Sequence, residues 1–308
     1  MEKRRDAIEK RAIAIFEVVL SDVIGLRSGQ SSAEAAMTRL RDEYRQEMRG
    51  FRLIIYLKER VGESSKGLYW GRLRRDEKTG RQVIIHIKRG LKRSDIYRDS
   101  EASRKERLRE YDRRRALLNA AHQECTQGLE SANKRWRPLA NRHEWECQDP
   151  GFAPPSLPPR VLSQDEGLLG ALWMVCQRLA ATSIDVGTFC ASYGANPIHQ
   201  DLNLVHESGP DHPHGRARWH HKGHPLMWLD EDGPQERLTD KRLRTSKLQV
   251  SAGDRKLLLA VEKERRRLMG HLRKYTEPMN KFRVRSTRAA SNAAKNIAAA
   301  EGGARVVA

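Results

Sequence analysis

The sequence predicts an α+β, helix-rich protein with two small β-hairpins, each followed by a long charged helix. Amphipathic runs at helical spacing occupy most of the chain, and two short hairpin-like segments each contain a glycine turn. Hydrophobic residues make up 38% of the chain and charged residues 32%. This composition predicts a thin core and long exposed helices.

Two helices are predicted at the start of the chain. Residues 2–25 place apolar side chains at helical spacing, and residues 33–49 follow a pair of serines that suit a helix cap. The apolar run FRLIIYL at 51–57 is too short for periodicity to separate a strand from a helical turn.

The first hairpin is predicted by residues 68–73 and 83–87, which are rich in aromatic and β-branched side chains. The segment DEKTG between them ends in Gly80, which readily adopts the positive φ of a turn. A long charged helix over residues 100–140 should follow.

The second half of the chain repeats this kind of pattern. An apolar helix should run from Ser163 to about 181, and residues 197–215 are expected to form a loop. The segment RARWHHKGHPLMWL at 216–229 predicts a hairpin with Gly223 at its turn, and residues 254–277 predict a charged helix.

These elements predict two modules. The first is a helical N-terminal module with the basic hairpin (1–147), and the second is an α+β module with a His-rich loop (161–285). A Pro-rich linker (148–160) should join them, and a disordered tail (286–308) should follow. Both modules contain an apolar helix, a Leu-x-Trp segment, a basic stretch and a charged helix. An internal duplication is therefore an open question, and it would pair Trp70 with Trp228.

The charge of the chain indicates a polyanionic partner. The net charge is +19 and the sequence pI is about 10.1, and residues 1–150 and 151–308 contribute +11 and +8. Nucleic acid is the expected partner, because binding to its phosphates releases condensed counterions. DNA is expected in preference to RNA. No apolar run is long enough to predict a membrane span, and no membrane partner is expected. Four dispersed cysteines favour a reducing, cytoplasmic location.

The basic hairpin is the candidate nucleic-acid site. Paired strands bring alternate side chains to one face, and a two-stranded ribbon fits the major groove of B-DNA. The alternative is a solvated sheet face that Asp76 and Glu77 partly screen. The candidate binding residues are Tyr69, Trp70, Arg72, Arg74, Arg75, Lys78, Arg81, His86, Lys88, Arg89, Lys92 and Arg93. Tyr69 or Trp70 would pack or stack beside the bound chain.

Histidines and cysteines raise a metal hypothesis, although no cofactor is expected. Seven histidines crowd the second module without the spacing of a closed zinc site: His199, His206, His212, His214, His220, His221 and His224. A second zinc set would combine His122 and Cys125 with His143 and Cys147. Cys176 and Cys190 are expected to be small buried hydrophobic residues.

One segment resembles a known family. Trp70, the basic strand IHIKRG at 85–90, Tyr97 and the charged helix that follows are similar to the MobI-type proteins of integrating conjugative elements. The resemblance covers residues 65–140. It implies an auxiliary role in conjugative DNA transfer from a mobile genetic element, and it implies no catalytic residue.

The sequence therefore predicts a cytoplasmic, DNA-binding accessory factor rather than a catalyst, with other proteins of a DNA-processing complex as further partners. Two alternatives stay open. One is a protein–protein scaffold in a transfer or ribonucleoprotein assembly, docking through the amphipathic helix over 8–24. The other is a metal-dependent nuclease that uses the loop from His199 to His224.

Overall fold

The computed structural model describes residues 2–59, 66–87, 91, 102–140, 159–209, 212–230, 233–245 and 248–302. The helices are α1 (Glu2–Glu47), α2 (Ala102–Ala140), α3 (Pro159–Ala195), α4 (Asp240–Thr245) and α5 (Ala252–Gly302). The strands are β1 (Leu53–Glu59), β2 (Lys66–Arg75), β3 (Gln82–Ile87), β4 (Leu202–Gly209), β5 (His212–His221), β6 (His224–Pro225), β7 (Trp228–Asp230) and β8 (Gly233–Gln235). Long helices with two small antiparallel sheets confirm the α+β, helix-rich class.

The chain divides into two compact units, each with one three-stranded sheet. The first-sheet unit comprises Val19–Lys134 and Phe282–Ala308, and the second-sheet unit comprises Met1–Val18 and Arg135–Lys281. This division differs from the predicted boundary at residues 148–160, because each unit combines segments that are distant in sequence. Residues 141–158, which include most of the predicted linker, lie outside the described part of the chain.

Three local predictions are wrong, and each error underestimates regular structure. The two predicted N-terminal helices are one helix, α1, in which Gly29 allows close packing: a Cβ there would lie 2.9 Å from the Cys125 sulfur. The predicted loop over 197–215 contains β4 and the start of β5. The predicted tail from residue 286 is helical as far as Gly302, and Ile297 and Ala300 pack into the first-sheet core.

The first sheet has the strand order β1-β2-β3, and all its pairs are antiparallel. Alternation along the strands turns Leu53, Ile55, Leu68 and Trp70 to one face, where all four are buried against the helices of the unit. The predicted first hairpin is confirmed as β2 and β3. The ambiguous segment at 51–57 corresponds to β1.

The second sheet has the strand order β4-β5-β6. The predicted turn at Lys222 and Gly223 is confirmed, with φ values of 49° and 83° that join β5 to the short strand β6. The longer pairing of the sheet, β4 with β5, was not predicted. Alternating polar and apolar residues in LNLVHES were the available signal.

α3 is the most apolar helix of the protein. By length and composition Gly167–Ala195 could cross a membrane, but 72% of its most apolar window is buried inside the protein. Val186, Cys190 and Tyr193 pack into the second-sheet core. The hydrophobicity of α3 is therefore accounted for by the protein's own core, as in the core helix of a soluble protein.

A tryptophan joins the middle strand of the first sheet to α2. The Nε1–H of Trp70 donates to Oδ1 of Asp112 at 2.6 Å, and Arg115 donates from Nε to the same oxygen at 2.9 Å. Nη1 of Arg115 also donates to the carbonyl of Leu68 at 3.2 Å. The Tyr44 ring packs edge-on against Trp70, with centroids 5.2 Å apart.

The second-sheet unit contains the same arrangement. The Nε1–H of Trp219 donates to Oε2 of Glu262 at 2.8 Å, and Arg265 donates from Nε to that oxygen at 2.7 Å. Nη1 of Arg265 donates to the carbonyl of Ala217 at 2.9 Å. The Tyr193 ring packs edge-on against Trp219, with centroids 5.1 Å apart.

We call this arrangement the tryptophan lock. In both units the tyrosine precedes the tryptophan by 26 positions, the arginine follows the carboxylate by three, and the accepting carbonyl lies two residues before the tryptophan. The lock therefore defines an internal structural repeat. It pairs Trp70 with Trp219, so the predicted pairing of Trp70 with Trp228 is wrong.

Breaking the second lock should destabilise the protein strongly. Glu262→Ala removes the acceptor for Trp219 and leaves the buried Arg265 guanidinium without its counter-ion, which should cost about 3–5 kcal/mol of unfolding free energy. The Glu264–Arg267 pair has the same spacing on the same helix but is exposed, so Glu264→Ala should cost less than about 1 kcal/mol. Urea unfolding followed by circular dichroism measures both. Equal effects of the two variants would contradict a structural role for the lock.

Candidate nucleic-acid interface

The face of the first sheet that points away from the core carries an aromatic cluster. Tyr56 on β1, Tyr69 on β2 and His86 on β3 are all half-buried there. The centroids of Tyr69 and His86 lie 5.0 Å apart, and those of Tyr56 and Tyr69 lie 6.3 Å apart. The Tyr56 hydroxyl and Nδ1 of His86 share a hydrogen bond of 2.7 Å. We call this the open face.

Two glycines make room for these rings. A Cβ on Gly71 would lie 2.5 Å from Cγ2 of Ile84 and 3.0 Å from Cε1 of Tyr56, so only glycine lets both side chains lie across β2. A Cβ on Gly67 would lie 3.1 Å from the Tyr69 ring. The missing side chains leave a shallow surface made of ring atoms and Ile84.

The electrostatics of the cluster favour a neutral phenol. Burial, and to a smaller extent the nearby Tyr69, raises the pKa of Tyr56 above its usual value. Tyr56 is therefore protonated throughout the physiological range, and its hydroxyl serves as a hydrogen-bond donor or acceptor at the surface. The open face consequently bears no negative charge from Tyr56.

A cleft of about 650 Å³ lies at one end of the same sheet. Four arginines line it: Arg52, Arg72, Arg74 and Arg75. Arg74 forms an exposed ion pair with Glu77 at 3.2 Å, and Arg75 donates from Nε to the carbonyl of Gly80 at 3.0 Å. The concentration of guanidinium groups, which can each bind phosphate through two parallel hydrogen bonds, makes this a cationic cleft suited to phosphate oxygens.

The hairpin turn beside the cleft is well defined. The Asp76 carboxylate accepts from the backbone N–H groups of Lys78 at 2.8 Å and Thr79 at 3.3 Å. These two bonds lower the pKa of Asp76. Gly80 has the positive φ, 66°, that the sequence predicted for this turn. Asp76 is therefore held against the turn backbone, while Glu77, the other acid of the solvated-face alternative, pairs with Arg74.

The predicted site residues fall into five groups. Tyr69 and His86 lie on the open face, and Arg72, Arg74 and Arg75 line the cleft. Lys78 and Arg81 lie in or beside the turn and are exposed. Trp70 is 1% exposed and belongs to the lock, so it packs in the core and cannot stack on a ligand. Lys88, Arg89, Lys92 and Arg93 lie outside the described residues.

Two members of the site were missed by the sequence analysis. Tyr56 completes the aromatic cluster and Arg52 the cationic cleft, and both belong to the ambiguous segment around β1. The alternation of Leu53, Ile55 and Leu57 with polar-tipped Tyr56 and Lys58 was the available signal. A strand assignment for that segment would have placed Tyr56 opposite Tyr69 only once the pairing register was known.

The internal repeat supplies a comparison within the same chain. The residue before the lock tryptophan is Tyr69 in the first sheet and Arg218 in the second. The residues paired with them on the neighbouring strands are Tyr56 and Val205. The repeated frame therefore does not require aromatic residues at these positions, and the aromatic cluster is particular to the first sheet.

The second sheet instead pairs its charges internally on this face. His220 Nε2 lies 2.8 Å from Oε1 of Glu207, and Arg216 Nε lies 2.8 Å from Oε2 of the same residue. Arg218 Nη2 lies 3.1 Å from Oε1 of Glu236. Burial alone would raise the pKa of Glu207, but the bonds with His220 and Arg216 lower it. These cations are matched by local carboxylates.

Three of the described histidines in the second module make separate contacts. His199 Nε2 lies 2.9 Å from the carbonyl of Leu248, His206 packs beneath Gly215, and His220 belongs to the ion-pair network. Among the residues that the structure describes, no three His, Cys, Asp or Glu side chains form a group able to hold a metal ion. The predicted loop of histidines is therefore largely a hairpin, in which His221 on β5 is paired with His224 on β6.

The second proposed zinc set can be followed only in part. His122 is buried in α2, where its Nε2 lies 3.1 Å from Oε1 of Glu34. Cys125 is buried on the same helix, and His143 and Cys147 lie outside the described residues. Cys176 and Cys190 are buried as predicted, and burial raises the pKa of the Cys190 thiol to about 11.

Comparison with known proteins finds no matching family model, no matching curated protein and no matching solved structure. The geometry described above is therefore the basis on which a function is assigned.

The glycine requirement of the open face can be tested by stability. Gly71→Ala forces Ile84 and the Tyr56 ring to move, and overpacking of this kind should cost about 1–3 kcal/mol of unfolding free energy. The control is Gly25→Ala in α1, where a Cβ meets nothing within 4 Å and should stabilise the protein by about 0.5–1 kcal/mol. Chemical denaturation measures both. A Gly71→Ala variant as stable as the parent would show that the aromatic cluster does not depend on that glycine.

Proposed function

We propose that the protein binds nucleic acid, with DNA as the favoured ligand, and acts as an accessory factor in DNA processing. The observation that carries this proposal is the aromatic cluster of the open face, which shares one sheet with the four-arginine cleft. The net charge of +19 supports it, since it favours a polyanionic ligand.

The arrangement suits a single strand better than a duplex at this site. Unpaired bases stack on exposed aromatic rings, whereas the bases of a duplex are already stacked inside the helix. In this proposal, bases stack on Tyr69, Tyr56 and His86, and the arginines of the cleft bind the adjoining phosphates. Phenol and imidazole rings stack on every base, so this contact requires little sequence preference.

The biological setting is proposed separately from the binding itself. A role in conjugative transfer of a mobile element, together with other proteins of a DNA-processing complex, is proposed from the resemblance of residues 65–140 to the MobI-type proteins. A cytoplasmic location is proposed from the dispersed cysteines, and the described ones are free thiols buried in the core. No catalytic residue is proposed.

The scaffold and nuclease alternatives have less support from the described residues. The apolar stripe of the helix over 8–24 was the proposed docking face, but Phe16, Val19 and Val23 are buried within the protein. The nuclease alternative required clustered histidines, and His199, His206 and His220 each have a separate partner.

The stacking contribution can be measured with a fluorescently labelled single-stranded oligonucleotide. Tyr56→Leu combined with Tyr69→Leu keeps apolar bulk above Gly71 but removes the rings, and should weaken binding by about 1–3 kcal/mol per stacked base. Arg72→Ala, Arg74→Ala and Arg75→Ala together should reduce the slope of log K against log salt by about 2. Fluorescence anisotropy over a salt series measures both quantities.

The matched control is Val205→Ala, which changes the position of the second sheet equivalent to Tyr56 and should leave affinity unchanged. Two results together would contradict a role for the open face and the cleft. One is an unchanged single-strand affinity in the double leucine variant, and the other is an unchanged salt slope in the triple alanine variant.

A further inference from the structure

A second cationic surface lies in the second-sheet unit. One cleft of about 570 Å³ lies beside α5, with His214–Ala217 of β5 and Arg237 among its other lining residues. Another of about 540 Å³ is lined by α5 and the last turns of α2. Gly270 and Arg273 line both clefts, so the two join into one continuous groove along α5. We call this the α5 groove.

The groove has more cations than its own carboxylates can match. Its acids are committed to ion pairs: Glu236 with Arg216 and Arg218, Glu262 with Arg265, and Glu277 with Lys281. The guanidinium groups of Arg135, Arg237 and Arg266 make no ion pair with any residue that the structure describes. The surplus positive charge is therefore concentrated in the groove rather than neutralised inside it.

The helix arranges part of this surplus in a row. Arg266, Arg273 and Asn280 recur every seven residues along α5, so they lie on one side of the helix about 10 Å apart. Thr276 lies between the last two and also lines the groove. A row of donors at regular spacing along a rigid helix suits a ligand with repeated anionic groups.

The groove differs in chemistry from the open face. His214 carries the one ring among the described residues that line it, and its apolar part otherwise consists of aliphatic side chains and prolines such as Leu139, Met269 and Pro138. Such a surface offers phosphates several donors but has no cluster of rings like that of the open face. It fits a nucleic acid that presents its backbone outward and keeps its bases inside.

We propose that the α5 groove binds the phosphate backbone of a nucleic-acid duplex. This inference rests on the proposed nucleic-acid-binding function and adds a second, chemically distinct contact to it. The open face takes unstacked bases of a single strand, and the α5 groove takes the backbone of a paired region. A protein with both contacts binds single-stranded and double-stranded nucleic acid through different residues.

Two variants change the groove but leave the buried core residues unchanged. Arg237→Ala, Arg266→Ala and Arg273→Ala together remove three exposed cations. Gly270→Glu places a carboxylate where the two clefts join, at an exposed helical position where a Cβ meets nothing within 4 Å. The control is Arg267→Ala, which removes an exposed cation of the same helix that does not line either cleft.

The experiment titrates the full chain into a labelled blunt DNA duplex and into the labelled single strand, and measures the fluorescence anisotropy of the DNA. The triple variant of Arg237, Arg266 and Arg273 should lose at least about tenfold in duplex affinity. Its slope of log K against log salt for the duplex should fall by about 2–3. Gly270→Glu should weaken duplex binding in the same direction. Single-strand affinity should stay within about twofold for both variants, and Arg267→Ala should resemble the parent protein.

The outcomes separate this inference from the proposed function. A parent protein that binds the single strand but not the duplex overturns the duplex assignment alone. Groove variants with unchanged duplex affinity, or with equal losses for both ligands, also overturn it. A parent protein that binds neither ligand overturns the proposed function and this inference together. The inference and the proposed function are both supported if the groove variants lose only duplex binding and the Tyr56→Leu, Tyr69→Leu double variant loses only single-strand binding.

Discussion

The tryptophan lock is the interaction on which the rest of the structure depends. In each unit it joins the middle strand of a small sheet to a long helix through an indole N–H, a carboxylate and an arginine. Neighbouring residues of a strand point to opposite faces, so holding Trp70 against α2 also turns Tyr69 outward. The polar groups of the lock satisfy one another, which makes removal of any single member costly. The position of the open face is thus a consequence of packing in the core.

The two units use the same frame for different surfaces. The first sheet carries rings over two glycines with a four-arginine cleft at its end, whereas the second sheet pairs its arginines with Glu207 and Glu236. In the second-sheet unit the unmatched charge lies along α5 instead. Positive charge is distributed through the whole sequence, but carboxylates neutralise it at some surfaces and leave it unmatched at others. Proposals about binding therefore depend on which cations have local partners, and net charge alone cannot identify them.

Much of the fold could be predicted because its signals are local. Helical periodicity indicated most of the long helices, and the strand-like segments around Gly80 and Gly223 indicated two turns that the structure confirms. The errors arose where tertiary packing overrides local propensity. The Ala-rich segment after residue 286 resembles a disordered tail, yet its small side chains let Ile297 and Ala300 pack into the first-sheet core. The strand β4 was missed because its polar residues pair with β5 only at a particular register.

The sequence by itself determined the helix-rich class, the first hairpin and the strongly basic character, because these follow from composition and from spacing between near neighbours. Tertiary structure alone decided that Trp70 is buried while Tyr56 joins Tyr69 at the surface, since strand register and helix packing bring together residues far apart in the chain. It also decided that Trp219 is the counterpart of Trp70. Local patterns record which side chains a segment carries, whereas the face that each side chain occupies depends on contacts with distant segments.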